Sequence, residues 1–112
     1  MDSTRQKKIS RLLQKELSEI FQREVREVVM GTMVTVTNVR ISPDMGQAKV
    51  YLSIFPVEPK AEVFQSVKEH QVKIRHLLAQ RVGKQLRVIP ELAFYLDDSL
   101  DYLENIDRLL KQ

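Results

Sequence analysis

A chain of 112 residues, 43% hydrophobic and 29% charged, supplies enough apolar surface for one core and too little for two, so a single domain over 1–112 is expected and intrinsic disorder is not. The lack of cysteine removes disulfide and thiolate chemistry, while the charged opening "MDSTRQKKIS" and the lack of any long apolar run argue against a signal peptide or a membrane span. A cytoplasmic protein with no membrane partner is expected.

The net charge of +3 is modest but polarised. Residues 60–90 hold seven Lys or Arg against two Asp or Glu, and residues 91–112 hold two against six. That asymmetry suits a surface facing a polyanion.

In chain order, Ile9, Leu12, Leu13, Leu17, Ile20, Phe21 and Val28 recur at three- and four-residue steps, which predicts one amphipathic helix over 5–29. Ser3 or Thr4 is placed to cap it and Gly31 to stop it. Residues 33–56 read as a hairpin around "SPDMG", with Pro43, Asp44 and Gly46 supplying the turn chemistry. Ala48, Val50, Leu52 and Ile54 alternate with polar neighbours and so line a buried face. In the first strand Val34 and Val36 have one parity and Val39 and Ile41 the other, which predicts a bulge near Asn38 or a strand covered on both faces.

A helical pattern returns from Lys60 with Val63, Phe64, Val67, Ile74, Leu77, Leu78 and Val82. Unbroken to Leu86 it would run about 40 Å, longer than so small a globule is wide, and His70 and Gln71 interrupt its stripe. A kink is therefore expected at 69–72, with Gly83 a second stop. "LRVIPELAFYLD" predicts a third strand with Leu92, Phe94 and Leu96 inward and Pro90 at its entry. Leu100, Leu103, Ile106 and Leu110 then mark a last helix, with Asp98 or Ser99 as its N-cap.

Little here supports catalysis. Asp97 and Asp98 are adjacent, so on a strand they point to opposite sides, whereas an acid pair must face one substrate; closing a strand and opening a helix explains them better. His70 and His76 lie on different helical faces, and the three glycines are too scattered for a phosphate loop, so no metal and no cofactor are expected. A small hydrolase using the two aspartates remains a rival reading.

The order helix, strand, strand, helix, broken helix, strand resembles the type II KH domain, an α+β fold with a three-stranded sheet backed by helices. More narrowly, "KISRLLQKELSEIF", "VTVTNVRISPDMGQAKVYLSIF", "IRHLLAQRV" and "LRVIPELAFYLDDSL" resemble the bacterial ribosome-binding factor A family over nearly the whole chain. The resemblance implies a non-catalytic, monomeric assembly factor acting in late maturation of the small (30S) ribosomal subunit, including 16S rRNA processing. It would bind immature 16S rRNA near the 5′-terminal helix and the neck. A module that docks on ribosomal proteins or dimerises is the alternative.

Where KH domains carry Gly-x-x-Gly, and this family a kinked helix with Ala-x-Gly, the chain has His70-Gln71-Val72. Phosphate affinity is therefore assigned to side chains. Lys73, His76, Lys84 and Arg87 fall on a helical face opposite Ile74 and Leu78, flanked by Lys68, Arg75 and Arg81. Arg5, Lys8, Arg11 and Lys15 form a second strip. Arg75 has a rival role as a salt-bridge partner of a carboxylate. Tyr51 and Tyr95 sit on the non-core parity of their strands, and packing against the core or a helix is expected for Tyr95.

Overall fold

The computed structural model describes residues 3–55 and 58–97. The helix expected over 98–112, with its cap at Asp98 or Ser99, lies outside the described residues. The elements are α1 (Thr4–Arg23), α2 (Arg26–Val29), β1 (Met33–Ile41), β2 (Gln47–Phe55), α3 (Lys60–Glu69), α4 (Gln71–Val82) and β3 (Glu91–Leu96). They form a sheet in the order β1-β2-β3, antiparallel between β1 and β2 and parallel between β2 and β3. A parallel pair needs a long crossover, which α3 and α4 supply.

β2 lies at the centre and fixes the register. Ala48, Val50, Leu52 and Ile54 all point inward and are almost wholly buried. A slip by one residue would turn that row to solvent, and the three larger side chains alone would lose about 5–9 kcal/mol, comparable with the whole stability of a small domain. In β1 the pairing passes from Val36↔Leu52 to Asn38↔Tyr51, leaving Thr37 as an extra residue. This is the bulge, the first of the two readings of the parity switch, and it keeps Val34, Val36, Val39 and Ile41 on one buried face.

The helices cover that face alone. Leu13, Leu17, Ile20 and Phe21 of α1, Val63 and Val67 of α3, and Ile74, Leu78 and Val82 of α4 join the inward strand residues in one cluster. Phe21 meets Phe94 edge-on, with ring centroids 6.2 Å apart. The opposite face presents Thr35, Arg40, Lys49, Ala93 and Tyr95 to solvent. Tyr95 is 43% exposed and stacks on Tyr51 rather than packing into the core. The core packing expected for it fails because its side chain stands on the sheet face opposite the described helices.

The first helix is also shorter than its periodicity predicted. Ser3 caps α1 through a reciprocal pair: the Gln6 backbone N–H donates to Ser3 Oγ at 3.1 Å, and the Ser3 N–H donates to Gln6 Oε1 at 2.8 Å. At about 1.5 Å per residue α1 spans about 30 Å, the length of the nine-residue β1 beneath it at about 3.4 Å per residue. A straight continuation would overhang the sheet. The chain instead bends at Glu24–Val25, and Val25, Val28 and Val29 fold back onto the core. Gly31 consequently ends α2 rather than α1, beside Met30 in the left-handed region.

The second break falls where the polar interruption placed it. His70 separates α3 from α4, with its backbone N–H shared between the carbonyls of Ser66 and Val67. Gly83 follows α4, and Pro90 precedes β3 directly.

Gly31 has φ +79°, a region costly for any residue with a Cβ. Gly31→Ala is expected to lower stability by about 1–2 kcal/mol, read as a shift of the urea midpoint with unchanged slope.

Candidate nucleic-acid interface

Arg5, Arg75, His76 and Arg87 sit along the seam where α1, α4 and the loop into β3 meet. Two anchors build that seam. Gln6 Nε2, buried at the start of α1, donates to the Ile41 carbonyl at 3.1 Å and fixes the first helical turn, with Arg5, over the end of β1. Arg75 of α4 donates from Nε to the Pro90 carbonyl at 3.1 Å and from Nη2 to the Ile89 carbonyl at 2.6 Å. Arg geometry suits such a fork, and here it grips backbone rather than the carboxylate its rival reading envisaged. Gln71 Nε2 adds a bond to the Leu92 carbonyl. The loop thus enters β3 under restraint, with Arg87 and Val88 exposed at its apex.

Arg87 stands between two clefts. One, of about 370 Å³, is lined by Arg5, Ile9, Asp44, Met45, Leu86 and Arg87 among others. The second, of about 540 Å³, includes Val72, Arg75, His76, Arg87, Val88 and Glu91. Val72, 83% exposed beside the His70 break, gives the second cleft an apolar wall. Each cleft also holds one acid. In the first, Asp44 accepts hydrogen bonds from Ser42 Oγ at 2.6 Å and the Gly46 backbone N–H at 2.9 Å, which hold its carboxyl below the usual range.

A third recess, about 310 Å³ on the α1–β1 seam, brings Lys7, Arg11 and Arg40 together. Lys7 and Arg40 were missed by sequence reasoning. Arg40 belongs to a strand whose outward set is decided by the bulge, which is the signal that identifies it.

Other predicted cations are held within the fold. Arg81 donates from Nη1 to Glu16 at 2.9 Å and Glu19 at 2.6 Å, and from Nε to Glu24 at 3.0 Å. Only 24% of its side chain is exposed, and the three acids raise its pKa further above the ordinary range. This cluster ties α4 to α1. Lys73 pairs with Glu27, and Lys68 Nζ lies 5.1 Å from the centroid of the Phe64 ring. His76 is exposed and hydrogen-bonds Gln80 at 3.3 Å. Lys8, Lys15 and Lys84 are exposed outside the described clefts.

Asp97 closes the sheet as a structural residue: its backbone N–H donates to the Leu52 carbonyl at 2.7 Å and its Oδ2 accepts from Thr37 Oγ1 at 2.7 Å. Asp98 lies outside the described residues. Among the described residues no cluster of His, Asp or Glu is arranged to hold a metal ion, and no helix is long and apolar enough to cross a membrane.

With this geometry in place, comparison with known proteins is decisive at the family level. The family model for ribosome-binding factor A matches residues 5–110. The chain belongs to the ribosome-binding factor A family. It is 47% identical to the ribosome-binding factor A of Flavobacterium psychrophilum over 111 residues, covering 98% of this chain and 85% of that protein. It is 43% identical to that of Cytophaga hutchinsonii over 112 residues, covering 100% and 84%. Among solved structures, the fold matches the crystal structure of ribosome-binding factor A from Thermus thermophilus with a TM-score of 0.67 at 24% identity, over 81% of this chain and 94% of that one. It also matches, at 0.64 and 26% identity over 80% and 91%, a Thermus thermophilus homology model fitted into a cryo-EM map of a complex with the 30S subunit. The sheet backed by helices is thus the KH-like arrangement of the family.

Two outcomes follow from the ion pairs. Arg81→Met, which strands three carboxylates at a partly exposed site, is expected to cost about 1–2 kcal/mol in chemical denaturation. The Glu27 carboxyl is lowered chiefly by its hydrogen bond from Lys73, so an NMR titration is expected to place it below an ordinary glutamate. Its stabilising effect is present above the unfolded-state pKa and fades as pH falls through the lower folded value; Lys73→Met is expected to return the carboxyl toward the ordinary range.

Proposed function

We propose that this protein is a non-catalytic assembly factor that binds immature 16S rRNA of the small ribosomal subunit near its 5′-terminal helix and neck, supporting late maturation and rRNA processing. The chain would act as a single, monomeric RNA-binding unit in the cytoplasm. One observation carries the reading: Arg87 joins the two clefts, with Arg5 on one side and His76 on the other. A cleft lined by cations with an apolar wall suits a sugar-phosphate chain whose bases turn toward the protein. Family membership and the 30S complex of the Thermus thermophilus relative support the small subunit as the partner.

The proposed contacts are Arg5, Lys8, Arg11, Lys15, His76, Lys84 and Arg87. Arg75 acts as a positioning residue, since it holds the carbonyls beside Arg87. Lys68, Lys73 and Arg81 are left out of the interface because each already meets an aromatic ring or a carboxylate within the fold.

Filter binding of a 5′-terminal 16S rRNA fragment at two salt concentrations tests this. Affinity is expected to fall as salt rises, and Arg5→Gln with Arg87→Gln to weaken binding about tenfold or more and flatten the salt slope by about two. Affinity indifferent to salt and to both substitutions would favour the protein-docking or dimer reading instead.

A further inference from the structure

The sheet face turned away from the helices carries a second arrangement that the clefts do not use. Tyr51 and Tyr95 are register partners on β2 and β3, and their rings stack with centroids 5.5 Å apart and planes 28° from parallel. Across β1, Asn38 is the partner of Tyr51, so an amide and two rings form one row. The next outward row along β2 holds Arg40 directly opposite Lys49. Like charges facing each other across strands repel. Neither cation makes an ion pair or hydrogen bond among the described residues, so the repulsion is unrelieved by the fold.

We propose that this open face is a stacking platform for single-stranded RNA, with one or two bases on the Tyr51–Tyr95 pair and the adjoining phosphates on Arg40 and Lys49. Bases present a π-face whatever their sequence, and exposed aromatic side chains on a sheet receive them without needing a pocket. The paired cations supply the charge complementarity and lose their mutual repulsion when a phosphate lies between them. Asn38 offers a donor and an acceptor to the edge of a stacked base. Of the acids on this face, Asp97 lines a recess with Asn38, Arg40 and Tyr51 while its carboxylate is bonded to Thr37, and Glu91 pairs in register with Gln47, beyond Lys49. A duplex, whose bases are already stacked on one another, cannot use the rings, so the platform selects single strands.

The site shares RNA with the proposed function, and Arg40 also borders the recess that holds Arg11, but Tyr51, Tyr95 and Lys49 line neither cleft that Arg87 joins, which lets the two be tested apart. The full chain is irradiated with short single-stranded RNA carrying iodouridine, and cross-linked residues are mapped by mass spectrometry. Cross-links at Tyr51 or Tyr95 are expected, and they should persist in the Arg5→Gln, Arg87→Gln variant. Tyr51→Leu with Tyr95→Leu is expected to weaken single-strand binding about 10- to 100-fold while duplex binding stays unchanged. Arg40→Gln with Lys49→Gln, which leaves the rings in place and guards against a folding artefact, is expected to weaken it about fivefold or more and to reduce its salt dependence. Cross-links confined to the clefts, or absent from both rings because residues 98–112 or a second copy of the chain cover them, would overturn the proposal.

Discussion

One-sided burial of the sheet is the constraint from which the rest of the molecule follows. β2 is central and its inward row is almost wholly closed to solvent, so both neighbours must present their apolar sets to the same side, and α1, α3 and α4 must lie there. The bulge at Thr37 is the adjustment that lets β1 obey. Stacking the helices on one face produces two surfaces of different character. At the helix–sheet seam are clefts edged by helical and loop cations; on the far side is a more polar face, where Ser53 is buried, Tyr51 and Tyr95 stack, and Thr35, Arg40, Lys49 and Ala93 reach solvent.

The seam depends on side chains that reach between elements. Gln6 ties α1 to β1, Arg75 ties α4 to the loop before β3, and Arg81 ties α4 to three acids of α1 and its C-terminal cap. These bonds divide the basic residues into two populations. Cations that meet backbone or carboxylate fix the angle of α4, while those left at the rim, Arg5 and Arg87 above all, remain available to a polyanion. A basic stripe is thus a mixture of struts and contacts, and charge alone does not separate them. Hydrogen-bond partners do.

The same distinction explains how a KH-like fold forms its helix break without glycine. His70 ends α3 and begins α4, its N–H shared by two carbonyls of the preceding turn and its ring Nδ1 2.7 Å from the Ser66 carbonyl oxygen. The kink leaves Val72 projecting into solvent beside the second cleft. Beside the break stands a wall of apolar and cationic side chains, and the proposed RNA contacts accordingly rest on side chains rather than on close backbone approach.

The sequence by itself determined what local periodicity and turn chemistry can carry. The inward rows of β2 and β3, the break at His70 and the entry of Pro90 into β3 all depend on residues within a few positions of one another, whereas the choice of a bulge over a doubly covered β1, and of Ser3 over Thr4 as cap, was made by the structure. Family motifs spread along the whole chain added the KH-like order. Tertiary structure decided what depends on distant partners. The bend at Glu24–Val25 reflects the length of β1, which helical periodicity does not contain. The parallel pairing of β3 with β2 depends on the α3–α4 crossover, and the exposure of Tyr95 on which sheet face the described helices cover. Arg81 and Lys73 lie 46 to 65 residues from the acids they hold, and no spacing rule along one helix connects them.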